Sequence, residues 1–187
     1  MSSHGRPLHH YSYQEYLVAA RDSAIKLEFA DGEIHAMAGG SKRHNALALR
    51  IGAAIHTTQR SGCIAFQSDQ RVRITALNRA VYPDVTVVCG EIDTDPEDTE
   101  TIVNPTVIVE VLSPSTEAYN RGEKWIAYQS LPSLQEYVLV SQANQRVERY
   151  RRGPSGDWAY TDITSGTIEL WTGATLNIDQ LYQGLPE

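Results

Sequence analysis

The amino-acid sequence predicts a mixed α/β (α+β) fold in a single domain that spans residues 1–187. Two kinds of pattern support this fold class: segments in which apolar residues recur at helical spacing, and segments dense in Val and Ile that are typical of buried strands. The composition agrees, because a chain with 41% hydrophobic and 21% charged residues can bury a core of ordinary globular size. The predicted order of elements is helix, hairpin, helix, sheet, helix and sheet.

The first predicted elements are a short helix and a tight hairpin. Ser12 and Glu15 fit a capping box, which predicts a helix from about Tyr13 to Ala20. The Asp31-Gly32 pair that follows is a typical two-residue hairpin turn, and apolar residues alternate on both sides of it. These alternating residues are Ile25, Leu27, Phe29 and Ile34.

A second helix is predicted after the Gly39-Gly40-Ser41 break, with Ser41 as its N-cap. Leu47, Ile51 and Ile55 recur at four-residue spacing on one face of this helix, and His44 lies on the same stripe. On that stripe His44 can be a hydrogen-bonded core histidine or a general base, and the sequence favours the first interpretation.

The rest of the chain is predicted to form strands, one further helix and C-terminal hairpins. Ser115 or Thr116 can cap a third helix that reaches about Leu131. The segment 151–187 contains two turn signals, Pro154-Ser155-Gly156 and Ser165-Gly166, which predict antiparallel hairpins. The predicted strands are Ile64–Phe66, Gln70–Ile74, Asp84–Val88, Thr106–Leu112 and Glu136–Val140.

The two cysteines do not point to a metal site. Cys63 and Cys89 lack the close spacing of a zinc-binding motif, so we interpret both as reduced, half-buried core residues. The polar, His-rich N-terminus from Met1 to Tyr11 has no apolar core of the kind found in a signal peptide or membrane span. A cytoplasmic protein without membrane contact is expected.

The formal net charge of −7 argues against a strongly basic nucleic-acid-binding surface. Six acids fall within residues 91–100, a stretch without Lys or Arg, and we predict that this stretch is a solvated loop between two strands. The only basic cluster consists of Arg146, Arg149, Arg151 and Arg152. It is either a phosphate contact or a guard of an edge strand against aggregation, and the second interpretation is favoured.

Two acids interrupt segments that otherwise have the composition of core strands. They are Asp84, in Val81-Tyr-Pro-Asp-Val-Thr-Val-Val, and Glu110, in Val107-Ile-Val-Glu-Val-Leu112. A carboxylate in a buried strand is costly unless it is paired, hydrogen-bonded or bound to a metal. Pro83 has no N–H for a sheet ladder, so it marks a bulge or a strand start that redirects Asp84. If the two strands are neighbours, the two carboxylates can converge.

An oxygen-only ligand set of this kind favours Mg²⁺ or Mn²⁺, ions that assist phosphodiester hydrolysis. Lys124 and Tyr128 are four residues apart on the next predicted helix and share a face with Asn120. A cationic donor and a phenol could therefore project toward the carboxylates. The alternatives are an ordinary solvated position for Lys124 and simple packing against the sheet for Tyr128.

The chain resembles the Uma-type restriction endonucleases, a branch of the PD-(D/E)XK nuclease superfamily that is abundant in cyanobacteria. The likeness covers about residues 11–150 and consists of five stretches in order. These are Leu27-Glu-Phe-Ala-Asp-Gly-Glu-Ile34, Tyr82-Pro-Asp-Val85, Val109-Glu-Val-Leu-Ser-Pro-Ser-Thr116, Arg121-Gly-Glu-Lys124 with Tyr128, and Gln135-Glu-Tyr-Val-Leu-Val140.

The resemblance implies a restriction-endonuclease-like core, in which a mixed central sheet is flanked by helices, with additional hairpins at both ends. It implies Asp84 and Glu110 as metal ligands, the carbonyl of Val111 as a third ligand, and Glu28 as an additional active-site carboxylate. The catalytic Lys of the superfamily lies two residues after the Glu, where this chain has Leu112. Lys124 is the matching substitute on the following helix.

A metal-dependent endonuclease acting on DNA is therefore the leading hypothesis. Asn120 departs from the pattern, because relatives often carry Asp there, and together with the displaced Lys it leaves an alternative open. In that alternative a nuclease fold that no longer cuts serves as a binding or assembly module, for example as a homodimer. Hydrolysis of another phosphoester is a third hypothesis. For Glu28 the alternative to a site residue is an exposed hairpin acid.

Overall fold

The computed structural model describes residues 9–186 and confirms a mixed α+β fold. Two six-stranded sheets are present, one in the order β2-β1-β5-β4-β8-β7 and the other in the order β12-β11-β10-β9-β6-β3, with β13 and β14 forming a small third sheet. The strands are β1 Leu27–Ala30, β2 Glu33–Ala36, β3 Cys63–Gln67, β4 Val72–Ile74, β5 Arg79–Val81, β6 Val85–Cys89, β7 Thr94–Asp95, β8 Asp98–Ile102, β9 Val107–Leu112, β10 Glu136–Ser141, β11 Val147–Arg152, β12 Trp158–Ile163, β13 Thr167–Glu169 and β14 Thr175–Asn177. The helices are α1 Tyr13–Asp22, α2 Lys42–Thr58, α3 Glu117–Tyr119, α4 Trp125–Gln129 and α5 Ile178–Tyr182.

The arrangement of strands differs in one respect from a single central sheet with added hairpins. The β1–β2 hairpin belongs to its own six-stranded sheet, because β1 also pairs with β5. The chain passes from this first sheet to the second between β5 and β6, at Tyr82 and Pro83. Pro83 cannot continue a sheet ladder, and β6 starts two residues after it, so the predicted strand start is confirmed.

The N-terminal elements follow the sequence prediction closely. The capping box is present, with Ser12 Oγ accepting the Glu15 N–H and the Glu15 carboxylate accepting the Ser12 N–H, although α1 extends to Asp22. In the hairpin turn Asp31 has φ 46° and Gly32 has φ 94°, the left-handed geometry that a two-residue turn requires. Tyr13, Tyr16 and Phe29 form a small core between α1 and the first sheet.

Helix α2 covers one face of the second sheet. Leu47, Ile51 and Ile55 are fully buried and belong to the main core, together with Val85 and Val109 of the sheet. Ser41 is the N-cap as predicted, and its Oγ accepts the N–H of His44 at 3.1 Å. The apolar stripe thus determines which face of α2 packs against the sheet. His44 lies on the same face and is therefore directed toward the sheet.

Replacing the N-cap Ser41 with Ala is expected to lower the free energy of unfolding by about 1 kcal/mol, because the N–H of His44 loses its acceptor. Urea denaturation followed by circular dichroism measures this change. Ser61→Ala is the matched control, since Ser61 is an exposed turn residue outside the helices. An equal effect of both substitutions would contradict the capping role.

The second sheet is mixed, as the strand order explains. β9 and β10 are parallel, whereas β6 and β3 continue the sheet antiparallel on one side and β11 and β12 on the other. In the β6–β9 pair Val85 lies opposite Val109. One further step along each strand places Asp84 and Glu110 across from each other, so the expected convergence of the two acids is a consequence of the register.

The acidic stretch of residues 91–100 is not the solvated loop that its charge predicted. It contains β7 and most of β8, at one edge of the first sheet. Asp98 accepts from Arg71 at 2.5 Å, and Asp95 lies 3.8 Å from Arg73. Two arginines that are distant in sequence therefore neutralise part of the charge, and charge density along the chain could not reveal them.

The prediction that both cysteines are reduced is wrong in this structure. Cys63 in β3 lies opposite Cys89 in β6, and the two form a disulfide. Their separation of 26 residues gave no sign of this pairing, because strand register alone brings them together. The disulfide ties the edge strand β3 to its neighbour β6.

The third predicted helix is present but irregular. α3 and α4 are joined by a π-helical turn at Asn120–Lys124, and together they extend from Glu117 to Gln129. The predicted side-chain cap is absent at this helix start. The hydroxyls of Ser113, Ser115 and Thr116 hydrogen-bond to one another instead.

The predicted hairpin at Pro154-Ser155-Gly156 is confirmed as β11–β12. Ser165-Gly166 instead joins β12 to β13, which do not pair, and the second hairpin is β13–β14, with its turn at residues 170–174. Helix α5 was not predicted. Buried Glu136 anchors this region to the sheet, because its carboxylate accepts the Trp171 N–H at 2.7 Å and the Arg151 side chain at 3.0 Å. No helix within residues 9–186 combines the length and apolarity that a bilayer crossing needs. The prediction for Met1 to Tyr11 falls largely outside the described residues, and the single-domain assignment of residues 1–187 stays a prediction.

Candidate active site

Asp84 directly precedes β6 and is held by neighbours on two elements. Its Oδ2 accepts the N–H of Val111 in β9 at 2.7 Å and lies 3.2 Å from Nε2 of His44. The hydrogen bond to Asp84, opposed in part by burial, raises the pKa of His44. His44 is therefore half-buried and hydrogen-bonded, in keeping with the favoured interpretation, and a role as general base stays a prediction.

Gly40 makes room for this histidine. A Cβ atom at position 40 would lie 2.6 Å from Nδ1 of His44, closer than two such atoms can approach. The Gly39-Gly40 pair, which the sequence showed only as a chain break, thus also allows the His44 ring to pack against the loop. Nδ1 itself is buried without a hydrogen-bond partner among the described residues.

Glu110 is buried in the centre of the site. Its Oε1 accepts from Nζ of Lys124 at 3.0 Å and from the hydroxyl of Tyr128 at 2.7 Å. The structure therefore brings together three residues that the sequence singled out, and it does so inside the protein rather than on a solvated helix face. Burial is also complete for Tyr128, and it raises the phenol pKa well above its usual value.

Glu28 joins the same cluster from the first sheet. Its Oε1 lies 3.1 Å from Nζ of Lys124 and accepts the N–H of Tyr82 at 3.1 Å. Glu28 is thus a buried carboxylate next to Glu110, and the alternative of an exposed hairpin acid is wrong. Lys124 bridges one acid from each sheet.

The pKa values in this cluster reflect burial and the sharing of Lys124 by two acids, Glu28 and Glu110. Burial, partly offset by Lys124, raises the pKa of Glu110 to about 7. Burial also disfavours the charge on Lys124, but Glu110 and Glu28 more than compensate and raise the Lys124 pKa above its usual value. Lys124 therefore stays cationic although it is buried.

The π-helical turn gives Asn120 and Lys124 their positions. Both side chains are buried, and the main-chain carbonyl of Asn120 accepts the hydroxyl of Tyr137 at 3.1 Å. Single π-helical turns within α-helices are often found at functional sites. Asn120 Oδ1 has no hydrogen-bond partner among the described residues, although the side chain lines the same cavity as Lys124.

An open cavity of about 330 Å³ connects these groups. Asp84, Glu110, Glu28, Lys124, His44, Asn120 and Val111 all line it, together with Tyr82, Tyr119, Ser113, Ser115 and Thr116. The sequence reasoning missed Tyr119 and the three hydroxyl residues as site residues. The sequence did contain a signal for the three hydroxyl residues. The Ser-Pro-Ser-Thr stretch follows directly after β9, the strand that carries Glu110, so this loop begins close to the cavity.

The donor chemistry of the cavity fits a hard divalent cation. Asp84 and Glu110 offer oxygen atoms, and Val111 adds a main-chain carbonyl at the next position of β9. Within residues 9–186, no three His, Cys, Asp or Glu side chains form a ligand set by themselves. An ion held by two carboxylates would therefore need the carbonyl, water or substrate oxygens to complete its coordination, as Mg²⁺ commonly does.

The predicted basic patch is engaged in internal contacts. Arg146 forms two hydrogen bonds with Asp162, Arg151 pairs with Glu136, and Arg149 lies 3.7 Å from the same Glu136. β11 lies between β10 and β12, so these arginines do not guard a sheet edge as one interpretation had it. These contacts favour a structural role, and a phosphate contact through Arg146, Arg149 or Arg151 stays a prediction.

Arg151→Ala is expected to lower the free energy of unfolding by about 1.5–3 kcal/mol, because it removes charge-assisted hydrogen bonds from the buried Glu136. Arg21→Ala is the matched control and should have a much smaller effect, since Arg21 is an exposed residue in the last turn of α1. Chemical denaturation of both variants measures the difference. A larger loss of stability for Arg21→Ala would contradict this account.

The fold matches that of a solved structure. A crystal structure of "a putative nuclease belonging to DUF820" from Anabaena variabilis superimposes with a TM-score of 0.70 at 17% identity, covering 92% of this chain and 98% of that chain. This likeness shows that the fold is that of the Anabaena protein. The acids that the sequence singled out lie at the junction of the two sheets, and their role as active-site residues stays a prediction.

The chain belongs to the Uma2 family, described as "Putative restriction endonuclease", whose profile matches residues 13–179. The uncharacterized protein slr1290 of Synechocystis sp. is 37% identical over 96% of this chain and 95% of its own length. A second Synechocystis protein, the uncharacterized sll1609, is 33% identical over 83% of this chain and 89% of its own length. The family and its cyanobacterial character are thus confirmed, and membership supports a nuclease function.

Proposed function

We propose that this protein is a metal-dependent endonuclease that hydrolyses phosphodiester bonds in DNA. The observation that carries the proposal is the cluster in which buried Lys124 bridges Glu110 and Glu28, in a cavity that Asp84 also lines. Buried acids and a buried base are costly to maintain without partners, so their convergence in an open cavity favours a chemical role. Family membership points to the same activity.

Asp84 and Glu110 are the proposed ligands of Mg²⁺ or Mn²⁺, with the Val111 carbonyl as a third. When bound, such an ion would lower the pKa of a water molecule and neutralise charge on the scissile phosphate. The water oxygen forms the new bond to phosphorus, and the bond from phosphorus to the leaving oxygen breaks. The leaving oxygen takes up one proton, in balance with the proton that the attacking water loses.

The remaining residues have positioning and electrostatic roles in this proposal. Lys124 donates to a non-bridging phosphate oxygen and offsets the charge that develops there. Glu28 and Tyr128 hold Lys124 and Glu110 in place through the contacts described above. His44 orients the Asp84 carboxylate from the other side of the cavity, together with the Val111 N–H.

A second candidate is a binding or assembly module that has lost catalysis. The specific observation in its favour is that Lys124 pairs with both Glu110 and Glu28, so one of their two negative charges is already offset without a metal ion. Asn120, uncharged where relatives often carry Asp, adds to this. Hydrolysis of a smaller phosphoester is compatible with the same site, and free nucleotides would then compete with DNA.

The experiment that tests the proposal is cleavage of supercoiled plasmid and of single-stranded DNA in Mg²⁺, Mn²⁺ or excess chelator. We expect nicking or linearisation that requires the metal ion and disappears with chelator. Isothermal titration with Mn²⁺ alone measures ion binding independently of activity. Ion binding without cleavage of either substrate would favour the second candidate, and absence of both would refute the metal-dependent nuclease.

A further inference from the structure

Strand β3 is an exposed edge of the second sheet. Its end carbonyls already accept internal hydrogen bonds, Cys63 from the Gln59 side chain and Gln67 from the Gln70 N–H, so the open part of the edge is its centre at Ala65. Edge strands are normally guarded by charged residues, proline or a bulge, because their free backbone groups can pair with another chain. The other edge strands of the two large sheets each contain an acid, namely Glu33 in β2, Asp95 in β7 and Asp162 in β12. The sequence of β3, Cys63-Ile-Ala-Phe-Gln67, has no charge and no proline.

The register of β3 identifies which backbone groups are free. The N–H of Gly90 donates to the carbonyl of Gly62 at 2.8 Å, so this pair is hydrogen-bonded across the two strands. Hydrogen-bonded and non-hydrogen-bonded pairs alternate along an antiparallel ladder. The backbone groups of Ile64 and Phe66 therefore hydrogen-bond to β6. The N–H and C=O of Ala65 point away from β6, toward the open side of the sheet.

Apolar surface surrounds this free edge. Leu49, on the side of α2 next to β3, is 74% exposed, and Ile64 is 49% exposed. A groove of about 550 Å³ lies between α2 and β3, with Ala48, Gly52 and Ala65 among its lining residues. An uncharged strand edge beside exposed aliphatic side chains is typical of a protein interface rather than of a free surface.

We propose that β3 pairs antiparallel with β3 of a second copy of this chain, about a two-fold axis through Ala65. The second sheet then continues across both copies, and Leu49 and Ile64 of each become buried. Exposed Arg60, which also lies over the Trp171 ring, precedes the strand, and exposed Asp69, which also pairs with Lys26 at 2.5 Å, follows it. Antiparallel pairing brings the Arg60 end of one copy to the Asp69 end of the other.

A second copy fits the groove better than a nucleic acid does. None of the described residues that line the groove is Lys or Arg. A phosphate backbone is bound mainly through cations along its path, and this groove offers none of them. The neutral edge instead offers backbone hydrogen bonds, which are independent of charge and self-complementary across a two-fold axis.

The test is the mass of the wild-type chain by size-exclusion chromatography with light scattering over a concentration series. We expect twice the 20.8 kDa of one chain for the wild type, and the mass of one chain for Leu49→Lys/Ile64→Lys. The matched control is Val18→Lys/Ile25→Lys, which places two lysines at positions 58% and 56% exposed on the N-terminal elements and should stay dimeric. Circular dichroism verifies that both variants are folded.

Amide hydrogen exchange provides a second measurement at single-residue resolution. The Ala65 amide should be protected in the wild type and exchange as an unpaired amide in Leu49→Lys/Ile64→Lys, while the amides at positions 64 and 66 stay protected in both. A wild type that is monomeric throughout, a lysine variant that remains dimeric, or dimerisation only upon addition of single-stranded DNA would each overturn the proposal.

Discussion

Asp84→Asn and Glu110→Gln are each expected to reduce metal-dependent DNA cleavage by at least about 10²–10³-fold, the range seen when one electrostatic group is removed from an active site. Both substitutions preserve the size of the side chain and remove its negative charge. Asp84→Asn would keep an oxygen for the Val111 N–H, and Glu110→Gln one for Tyr128, so the local structure should persist. The loss should therefore come from weaker metal binding.

Initial rates of plasmid nicking at several Mn²⁺ concentrations, together with Mn²⁺ titration calorimetry, test this prediction. Asp22→Asn and Glu91→Gln are the matched controls, because these acids are exposed and lie outside the cavity. If Asp84→Asn cleaves at the wild-type rate with unchanged Mn²⁺ affinity, Asp84 is not a ligand. Circular dichroism would reveal whether a variant has unfolded. A loss of cleavage that accompanies unfolding would not support a role of Asp84 or Glu110 as a metal ligand.

Lys124→Met is expected to lower the free energy of unfolding by about 3–5 kcal/mol and to abolish cleavage. Removal of one partner of a buried ion pair leaves the other as an uncompensated buried charge, which is the origin of this cost. Here two acids, Glu28 and Glu110, lose their shared cation at once. Met retains most of the apolar stem of the lysine, so the change in packing is small.

The comparison of Lys124→Met with the double variant Lys124→Met/Glu110→Gln isolates the charge effect. The double variant should recover part of the lost stability, because one of the two unpaired carboxylates is then neutral. Lys42→Met is the control for replacement of an exposed helical lysine and should leave stability nearly unchanged. A Lys124→Met variant as stable as Lys42→Met would show that the bridge between the acids does not form in solution.

Several features of the site were visible in the sequence because they break a local rule. Asp84 and Glu110 are acids in apolar strand segments, and Pro83 marks a strand start. These residues can therefore be recognised as unusual without knowledge of the fold. Lys124 and Tyr128 were found by their helical spacing, a short-range relation. The Uma-type resemblance rested on residues of the same kind and led to the family that the profile match confirms.

Other features depend on which distant segments meet. The contact of His44 with Asp84, the burial of Glu28 against Lys124 and the pairing of Arg71 with Asp98 all join residues more than 25 positions apart. The charge density of residues 91–100 led to the wrong prediction of a solvated loop. The wide spacing of Cys63 and Cys89 led to the wrong prediction of two reduced cysteines. In each case a partner supplied by another strand changed the environment of the residue.

By itself, then, the sequence determined the first two helices and their caps, the hairpin turn, the core strands β6, β9 and β10 and the two core acids, because these follow from spacings of a few residues and from local backbone chemistry. Only the tertiary structure decided that two sheets meet at Tyr82 and Pro83, and that Glu28, Glu110 and Lys124 share one cavity there. The physical reason is that strand register and sheet order are set by packing of the whole core, and a contact between two strands leaves no periodic signal in either one.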